Sequence, residues 1–570
     1  MFSLGIDLGT GNTCAAFSQV SDGKLNTVII PMGGSRTVHS MRSIIAFDGS
    51  DRMFSGKEAE RLIRRGKADG AVAFKTRMGT GYLYQSYGKF HSPVELSAMV
   101  LENVRKNAEA FLNSRMRDAV IAVPARFDQN QRNATVEAAA IAGIRVKQLV
   151  SEPTAAVIAY KLKNPGMDGK NVLVFDMGAG TTDVSIVHVS GKNFTVLGTY
   201  GNTHLGGNDI DNAIVERIKA FLHGKGMKNY PEALEVLAEQ LKIKLSGSNE
   251  AEIRIPGSVA KSGQTLYGMS ASEMNDIIQS LLPEIFKCID MALSGSGVSR
   301  KSIDILILTG GQLKMPQLRA AIEDYLSMHA AKGINPETAV ATGASIIASG
   351  YTYAEKGAVS RIRVHDVVPL TLGSVILNDI VIPMIPANSR IPCSATRPFT
   401  TIRDYQKEIE VKAVQGDRPM GSDNIQLGKF ILTGIKPAPR GEVSVDVTYS
   451  VDKNGILTVS ARDRDTGSFK EIKIENSMQH SPEEIKAMRE KVRAYFKRDA
   501  EMKKLAETMN RSEDLLHRLK VIANEQLSSG TVYYNINTDI LKLSKAIKSE
   551  NIRLLSQLNA RFEKEYNIIK

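Results

Sequence analysis

An acidic, glycine-rich turn occurs twice in this chain, far apart. The first copy reads Gly5-Ile6-Asp7-Leu8-Gly9-Thr10-Gly11-Asn12-Thr13, the second Val174-Phe175-Asp176-Met177-Gly178-Ala179-Gly180-Thr181-Thr182-Asp183. In each, an apolar strand-like run leads to the Asp, a Gly/Thr turn follows, and a second strand-like run leaves it. Such a turn suits phosphate, because glycines let the backbone approach an anion and successive N–H groups form an anion-binding concavity. An Asp at the end of the first strand suits a magnesium ion, usually held through its water. One such hairpin alone is most often a plain structural turn. Two copies with matching Asp and Thr positions predict two related lobes closing on one nucleotide from opposite sides.

The elements around the turns are those of an α/β domain. At 570 residues the chain exceeds a single core, so two to four domains are expected. Residues 1–360 alternate short apolar strands with amphipathic helices. Val120-Ile121-Ala122-Val123 reads as a buried strand ended by Pro124, and residues 130–143 as an Ala-rich helix. A strand near Val146–Val150, a helix over 232–246 and a strand over Ile303–Leu308 follow, the last running into Gly310-Gly311. From Asp366 apolar/polar alternation takes over, as in Ile409-Glu410-Val411-Lys412-Ala413-Val414 and Val443-Ser444-Val445-Asp446-Val447. Turn signals at Pro437-Ala438-Pro439-Arg440-Gly441 and Asn454-Gly455 separate these runs. The pattern predicts a β-sandwich. After Ser477 the chain reads as helical. Ser481-Pro482-Glu483-Glu484 has an N-cap Ser, Pro at the first helical position and Glu at the third, a capping box. The helix it opens is expected to reach about Gln526 and stop near Ser528-Ser529-Gly530, and Ile552, Leu555, Leu558, Phe562 and Tyr566 mark the apolar face of a final helix.

Composition narrows the classes. A hydrophobic share of 42% with 24% charge is that of an ordinary soluble protein. No run of 18 apolar residues is present, so no membrane span is expected. Met1 leads straight into the first strand, and Cys14, Cys288 and Cys393 are scattered and not spaced for a metal. A reducing cytoplasm is the expectation. The net charge of +12 could attract a phosphate backbone, but residues 481–570 carry 18 Lys/Arg against 13 Asp/Glu. The remaining excess is spread over the chain, and no zinc-finger, helix-turn-helix or aromatic RNA-binding signature appears. Neither nucleic acid nor membrane is expected as a partner.

Across nearly its whole length the sequence resembles the 70-kDa heat-shock chaperone family of the DnaK type. The matching stretches are Gly5–Asn12, Ile121-Ala122-Val123-Pro124-Ala125, Glu152-Pro153-Thr154-Ala155-Ala156, Asp176–Asp183 and Leu205-Gly206-Gly207-Asn208-Asp209. Further on come Leu308-Thr309-Gly310-Gly311, Ile334-Asn335-Pro336, Pro369-Leu370-Thr371-Leu372-Gly373 and Pro437–Gly441. The first, second and fourth occur across actin-like ATPases, and the β-region stretches point to the chaperones. The resemblance implies a multidomain protein: an actin-like α/β ATPase domain over 1–360, a linker over 361–366, a β-sandwich peptide-binding domain over 367–477 and an α-helical lid over 478–570. It implies an ATP-dependent chaperone that grips exposed, extended peptide segments of client proteins. J-domain co-chaperones and nucleotide-exchange factors stay open as partners.

The residues carried over follow the chemistry of phosphoryl transfer, which needs charge neutralised on the β- and γ-phosphates and a water held in line. By the resemblance, Asp7 and Asp176 anchor hydrated magnesium, Thr10, Gly11 and Asn12 face the phosphates of ATP or ADP, and Thr181 lies at the γ-phosphate. Gly178, Ala179 and Gly180 form the second phosphate turn, and a potassium ion is a further option. Lys75, within Ala73-Phe74-Lys75-Thr76-Arg77-Met78-Gly79, matches the catalytic lysine, and Glu152 and Asp183 complete the network around the attacking water. Glu239, Lys242 and Ser246 match a nucleoside-contacting helix and Gly206 and Gly207 a phosphate loop. Gly310, Gly311, Lys314 and Glu337 match the adenosine side. Pro124 and Arg132 match positions that relay nucleotide state. Ile376, Leu377, Phe399, Ile402, Ile409 and Val411 match the lining of an apolar peptide groove.

Several positions depart from the family pattern. The linker reads Ile362-Arg363-Val364-His365-Asp366, with Arg363 and His365 where leucines are usual, which predicts weak docking because a charge resists burial unless paired. Lys314 replaces an arginine that stacks on adenine. Ala179 replaces a glycine, Asn208 a glutamate, Gln148 an arginine in the J-protein-facing segment, and Ser374 an aliphatic groove residue. A divergent, specialised member is expected. A nucleotide-gated scaffold or assembly factor for one dedicated partner is the alternative. A small-molecule kinase of the actin-like superfamily would share the turns but not residues 367–570.

Overall fold

The computed structural model describes residues 3–21, 24–32, 38–116, 118–226, 234–255, 265–333, 335–353, 362–452, 455–474, 481–529 and 535–566. Ile334, Arg361, Asn454, Ser477 and Gly530 lie outside them, as do residues 232–233 and the expected boundaries at 360/361 and 477/478. Two compact units emerge, Met1–Arg489 and Glu490–Lys570.

The first unit repeats one sheet design. In one sheet the strands run in the spatial order Arg145–Ser151, Asp118–Val123, Ser3–Leu8, Asn12–Ser21, Lys24–Ile29. In the other the order is Ile305–Thr309, Asn171–Met177, Thr182–Ser190, Asn193–Asn202, Arg363–His365. Each glycine-turn hairpin is antiparallel, and a later strand pairs parallel on its outer side. The parallel strands Asp118–Val123 and Ile305–Thr309 are almost wholly buried, as expected for strands covered on both faces. Helices Glu152–Lys163 and Ala339–Tyr353 cover the sheets, their Ala155, Ala156 and Ala344 packing with Val120, Val174 and Ile307 in one core. The Ala-rich helix runs Gln129–Ile141, capped by Asp128, and the helix read over 232–246 is Leu234–Leu245.

The segment expected to be a linker adds a short strand to the second sheet. Arg363–His365 runs parallel to Asn193–Asn202, with Phe194 opposite Val364. Side chains alternate across a strand, so Arg363 and His365 are exposed while Ile362 and Val364 pack against the core beneath. The expected difficulty of burying a charge does not arise, because neither polar side chain is asked to leave water.

Beyond the linker, two four-stranded antiparallel sheets share one core. One has the order Val381–Ile385, Leu372–Val375, Glu408–Gln415, Ile425–Thr433. The other has the order Cys393–Thr400, Ser444–Val451, Leu457–Asp463, Phe469–Ile474. Alternating inward residues such as Val411, Val445, Val447, Tyr449 and Val459 fill the space between them. These sheets touch the 126–129 turn: Arg126 pairs with Asp417 at 3.0 Å, and the Gln129 N–H donates to Gln415 Oε1 at 3.0 Å.

The helix Pro482–Ser529 opens with the capping box read from sequence, the Ser481 N–H donating to Glu484 Oε2 at 2.7 Å and the Glu484 N–H to Ser481 Oγ at 3.2 Å. The second unit is helical. Leu515 and Leu519 of that helix pack with Leu543 of Ile536–Lys548 and with Leu555 and Phe562 of Ile552–Glu565. Among the described residues no helix is long and apolar enough to cross a membrane.

Candidate functional site

Asp7 and Asp176 occupy equivalent places in the two sheets. Asp7 stands opposite Cys14 in the hairpin and Ala122 in the parallel strand; Asp176 stands opposite Asp183 and Thr309. The turns that follow them meet. A Cβ built on Gly11 would lie 3.2 Å from that of Ala179, and one on Gly180 would lie 3.2 Å from Thr10 Cγ2 and 2.5 Å from Thr76 Cγ2. Thr10, Gly11, Ala179, Gly180 and the Lys75 loop therefore border one space. The Gly178 N–H donates to Thr181 O at 3.0 Å and closes the second turn, and Thr181 is buried.

Lys75 sits in a single tight turn, Phe74–Arg77, preceded by Ala73 at φ 52°. A left-handed conformation is costly for a side chain with Cβ, and such strain gathers at functional sites. The Lys75 Nζ is buried, donates to Glu152 Oε1 at 2.8 Å, and lies 5.3 Å from the centre of the Phe127 ring. Glu152 is placed by the strand-to-helix junction that ends Arg145–Ser151 and begins Glu152–Lys163.

The electrostatics of this group are unbalanced. Asp7, Glu152, Asp176 and Asp183 gather around one ammonium. Loss of hydration, then repulsion from Glu152, pushes Asp7 up to about 7, with Lys75 opposing. The same two causes push Asp183 up to about 7, opposed by Arg126 and Lys75. Asp176 is raised well above the carboxylate range by loss of hydration and by Glu152, Asp183 and Asp7. A cluster with this excess of negative charge fits a hydrated dication. Among the described residues no three His, Cys, Asp or Glu side chains converge as direct metal ligands.

Backbone staples fix the second turn against the next loop. The Gly207 N–H donates to Gly178 O at 3.0 Å and the Asn208 N–H to Ala179 O at 2.6 Å, which docks the start of helix Gly207–Gly224 on the turn. Gly206 is required there, since a Cβ would stand 2.6 Å from Ala179 O. Gly310 is left-handed at φ 91°, and a Cβ on it would lie 2.6 Å from Asp176 Oδ1. Gly311 opens the turn Gly311–Lys314, and Lys314 pairs with Glu337 at the surface.

A family model described as Hsp70 protein matches residues 3–570. The chain is 37% identical to chaperone protein DnaK of Thermoplasma volcanium over 99% of its own length and 92% of that protein. It is 36% identical to chaperone protein DnaK of Picrophilus torridus, with the same coverages, and 35% identical to that of Elusimicrobium minutum over 97% and 90%. This chain belongs to the Hsp70 family. It is an ATP-dependent molecular chaperone of the Hsp70 type, and its enzymatic activity is that of an ATPase.

Within this Hsp70 the helix Leu234–Leu245 divides its three expected contacts. Glu239 pairs with Arg42, which reaches from the other sheet's side. Lys242 is buried and turned inward, donating to Gly207 O at 3.0 Å and Asp211 Oδ2 at 2.8 Å. Loss of hydration raises Asp211 to about 6 in spite of Lys242. The Ser246 Oγ caps the helix end by donating to Lys242 O at 3.1 Å. Arg132 and Asp366 face each other as opposite charges, each also penalised by loss of hydration.

Of the residues expected to line a peptide groove, Ile376, Leu377 and Ile402 are exposed, Phe399 and Ile409 pack at the edge of the sandwich core, and Val411 lies inside it. Ser374 is buried and shares a 2.9 Å hydrogen bond with the Tyr449 hydroxyl, which also donates to Gly373 O at 2.9 Å. Gln148 accepts from the Tyr351 hydroxyl at 3.0 Å.

Arg42 and Arg126 escaped the reading of the sequence. Arg126 carries the ion pair to Asp417 and stacks 4.5 Å over Tyr200. Arg42 did leave a signal: it sits at the head of a stretch, Met41–Phe47, in which Met41, Ile44, Ile45, Ala46 and Phe47 are buried. A charge kept inside such a run usually has a partner.

Proposed function

We propose that the two glycine turns and the carboxylate cluster around Lys75 are the ATP-hydrolysis centre of this Hsp70, within an actin-like nucleotide domain over residues 1–360. The observation that carries this reading is the burial of Lys75 on Glu152, amid Asp7, Asp176 and Asp183, where both turns meet. Magnesium, when bound, would neutralise phosphate charge there, with Asp7 and Asp176 holding its water. Lys75, fixed by Glu152, directs its ammonium at the γ-phosphate. Asp183, whose carboxyl sits close to neutral pH, takes a proton from the attacking water. Thr10, Gly11, Asn12 and Thr181 border the phosphates, and the loops of Gly206, Gly207, Gly310 and Gly311 close the far side. Glu239, Lys314 and Glu337 edge the nucleoside end, whereas the inward Lys242 acts on it through the helix it anchors.

The sandwich over 367–477 binds extended client peptides along Ile376, Leu377, Phe399, Ile402 and Ile409, and the helices over 478–570 act as its lid. The cytoplasm is the proposed compartment. The departures at Arg363, His365, Gln148 and Lys314 mark a divergent member whose client range is specialised, and use of a J-domain partner is left to experiment.

Lys75→Ala tests the centre. ATP affinity is expected to change by less than about tenfold while single-turnover hydrolysis falls by about 100- to 1,000-fold, the size of losing one charge aimed at the transition state. Hydrolysis within a few-fold of wild type would refute the assignment. The same variant, used to trap clients for identification, separates a broad client range from one dedicated partner.

A further inference from the structure

A short ribbon of two strands, Tyr84–Ser86 and Lys89–His91, stands out from the first lobe. On it and just before it, Tyr82, Leu83, Tyr87 and Phe90 are 46%, 52%, 52% and 55% exposed. Single apolar residues on a surface need no explanation, whereas four on one ribbon mark an interaction face. The inner face is anchored: Ser86 and His91 are buried, and the His91 ring stacks on Phe47 at 4.3 Å. Tyr87 and Gly88 make the turn at φ 44° and 77°. Such a turn favours Asn or Gly in its first place, so a tyrosine there is strained. A Cβ built on Gly49 would lie 3.6 Å from Tyr87 Cε1, so the ring rests on that neighbouring turn while half of it stays exposed. The chain around the ribbon is cationic. Residues 41–91 hold ten Lys/Arg against five Asp/Glu. Lys57, Arg61, Arg65, Lys67, Arg77 and Lys89 are exposed, but of the acids only Glu58 is. Arg77 lies 5.2 Å over the Tyr82 ring. Lys67 comes two residues before Asp69, whose Oδ2 accepts the Tyr87 N–H at 3.3 Å.

We propose that this ribbon is a docking edge for an extended, acidic segment of a partner protein, which joins it as a third strand. Among the described residues the two strands pair only with each other. A ribbon directs half of its backbone N–H and C=O groups away from its own partner strand, and an incoming strand takes them up. Alternate apolar side chains of that segment cover Leu83 and Phe90, while its carboxylates meet Lys67 and Arg77. Lys89 is held in place by Asp51 and adds to the attraction. Charge of this kind steers the encounter, and the apolar face holds the segment. A single-stranded nucleic acid would use the same cations but fits the face less well. It brings no strand ladder, and Leu83 gives a base no ring to stack on. Arg77 and the turn at Gly49 already cover part of Tyr82 and Tyr87. Neither the hydrolysis centre nor the sandwich groove contributes a residue to this face.

The test uses the full chain and a fluorescent copolymer of glutamate and tyrosine, with glutamate in excess, read by anisotropy. A saturating unlabelled apolar peptide is present throughout to occupy the sandwich groove. Micromolar binding is expected at about 50 mM salt, weakening about tenfold or more at about 500 mM. Leu83→Ser with Phe90→Ser is expected to weaken it about tenfold or more, the scale of losing two apolar contacts. ATP hydrolysis by that variant should stay at the wild-type rate, which reports an intact fold. Lys67→Glu leaves the ribbon untouched and is expected to weaken binding about fivefold. Polyglutamate without tyrosine should bind about tenfold more weakly than the copolymer, because charge alone does not cover the apolar face. No binding of the copolymer at about 100 µM, wild-type affinity in the double Ser variant or in Lys67→Glu, or binding that the apolar peptide abolishes would each overturn the docking edge. Tighter binding of oligouridylate than of the copolymer would overturn it in favour of a nucleic-acid face.

Discussion

Asp183 offers a test of the carboxylate cluster that needs no turnover. Without a cation its carboxyl titrates at about 7, against an ordinary 3.8. Between those values the folded chain keeps a proton that the unfolded chain has lost, so raising the pH favours unfolding. The nucleotide-free, magnesium-free protein is therefore expected to lose stability from about pH 4 to 7. Between pH 5 and 7.5 one such carboxyl costs about 3 kcal/mol, at about 1.4 kcal/mol per unit. Asp7 and Asp211 move the same way, to about 7 and about 6, and add to that figure. Asp48, Asp118 and Asp463 are held below their ordinary value by hydrogen bonds and ion pairs, so they stay ionised throughout this window and contribute no slope. For a compact unit the size of Met1–Arg489, about 2 cal/mol/K per residue makes 1 kcal/mol worth about 1 °C. The melting temperature in chelator is expected to drop by about 3 °C or more from pH 5 to 7.5. Magnesium with ADP should remove most of the drop, because the cation stabilises the ionised carboxylates. Asp183→Asn, which cannot titrate, should show a shallower slope. A melting temperature that rises or stays flat over this range in chelator, or an Asn variant with the wild-type slope, would refute the reasoning.

Three further outcomes follow from particular contacts. Val364→Asp puts a charge where the linker strand packs on the core, and is expected to abolish ATP-accelerated peptide release, whereas Arg363→Leu with His365→Leu should leave release within about twofold of wild type; peptide off-rates with and without ATP decide both. Ile409→Trp should weaken binding of a fluorescent apolar peptide by about tenfold or more, with the sandwich still folded, by filling space at the groove edge. Tyr449→Phe leaves Gly373 O and Ser374 Oγ without the hydroxyl that joins them, and is expected to cost the sandwich about 1–2 kcal/mol in urea unfolding.

The glycine turns were legible because strand, Asp and turn are contiguous in the chain, and a local pattern carries its own geometry. The capping box at Ser481–Glu484 was legible for the same reason. Lys75 was not readable from its neighbours: a lysine in Phe74-Lys75-Thr76 has no periodicity to declare that its ammonium ends on Glu152, 77 positions away. Only the resemblance brought the two together. Arg42 and Glu239 are 197 positions apart, and Arg126 and Asp417 are 291 apart. Such pairs exist only once the sheets are assembled. The helix Ile536–Lys548 was not singled out, although Ile536, Ile540, Leu543 and Ile547 pack together at helical spacing.

The linker shows how a departure from a family pattern can mislead when residues are weighed without their backbone. Counting leucines replaced by Arg363 and His365 treats the segment as a greasy peg, in which every position must be apolar. The segment is instead an edge strand on Asn193–Asn202, where every second side chain points to solvent. Only Ile362 and Val364 are asked to be apolar, and both are. Ser374 follows the same logic. It replaces an aliphatic residue, yet it is buried with a hydrogen-bonded tyrosine rather than left polar in an apolar wall. In both places the chain has changed residue type while keeping every buried polar group paired, so each substitution leaves docking and packing intact. At the linker the altered residues Arg363 and His365 stand on the exposed face of the strand, whereas the altered Ser374 is absorbed inside the sandwich by its hydrogen bond to Tyr449.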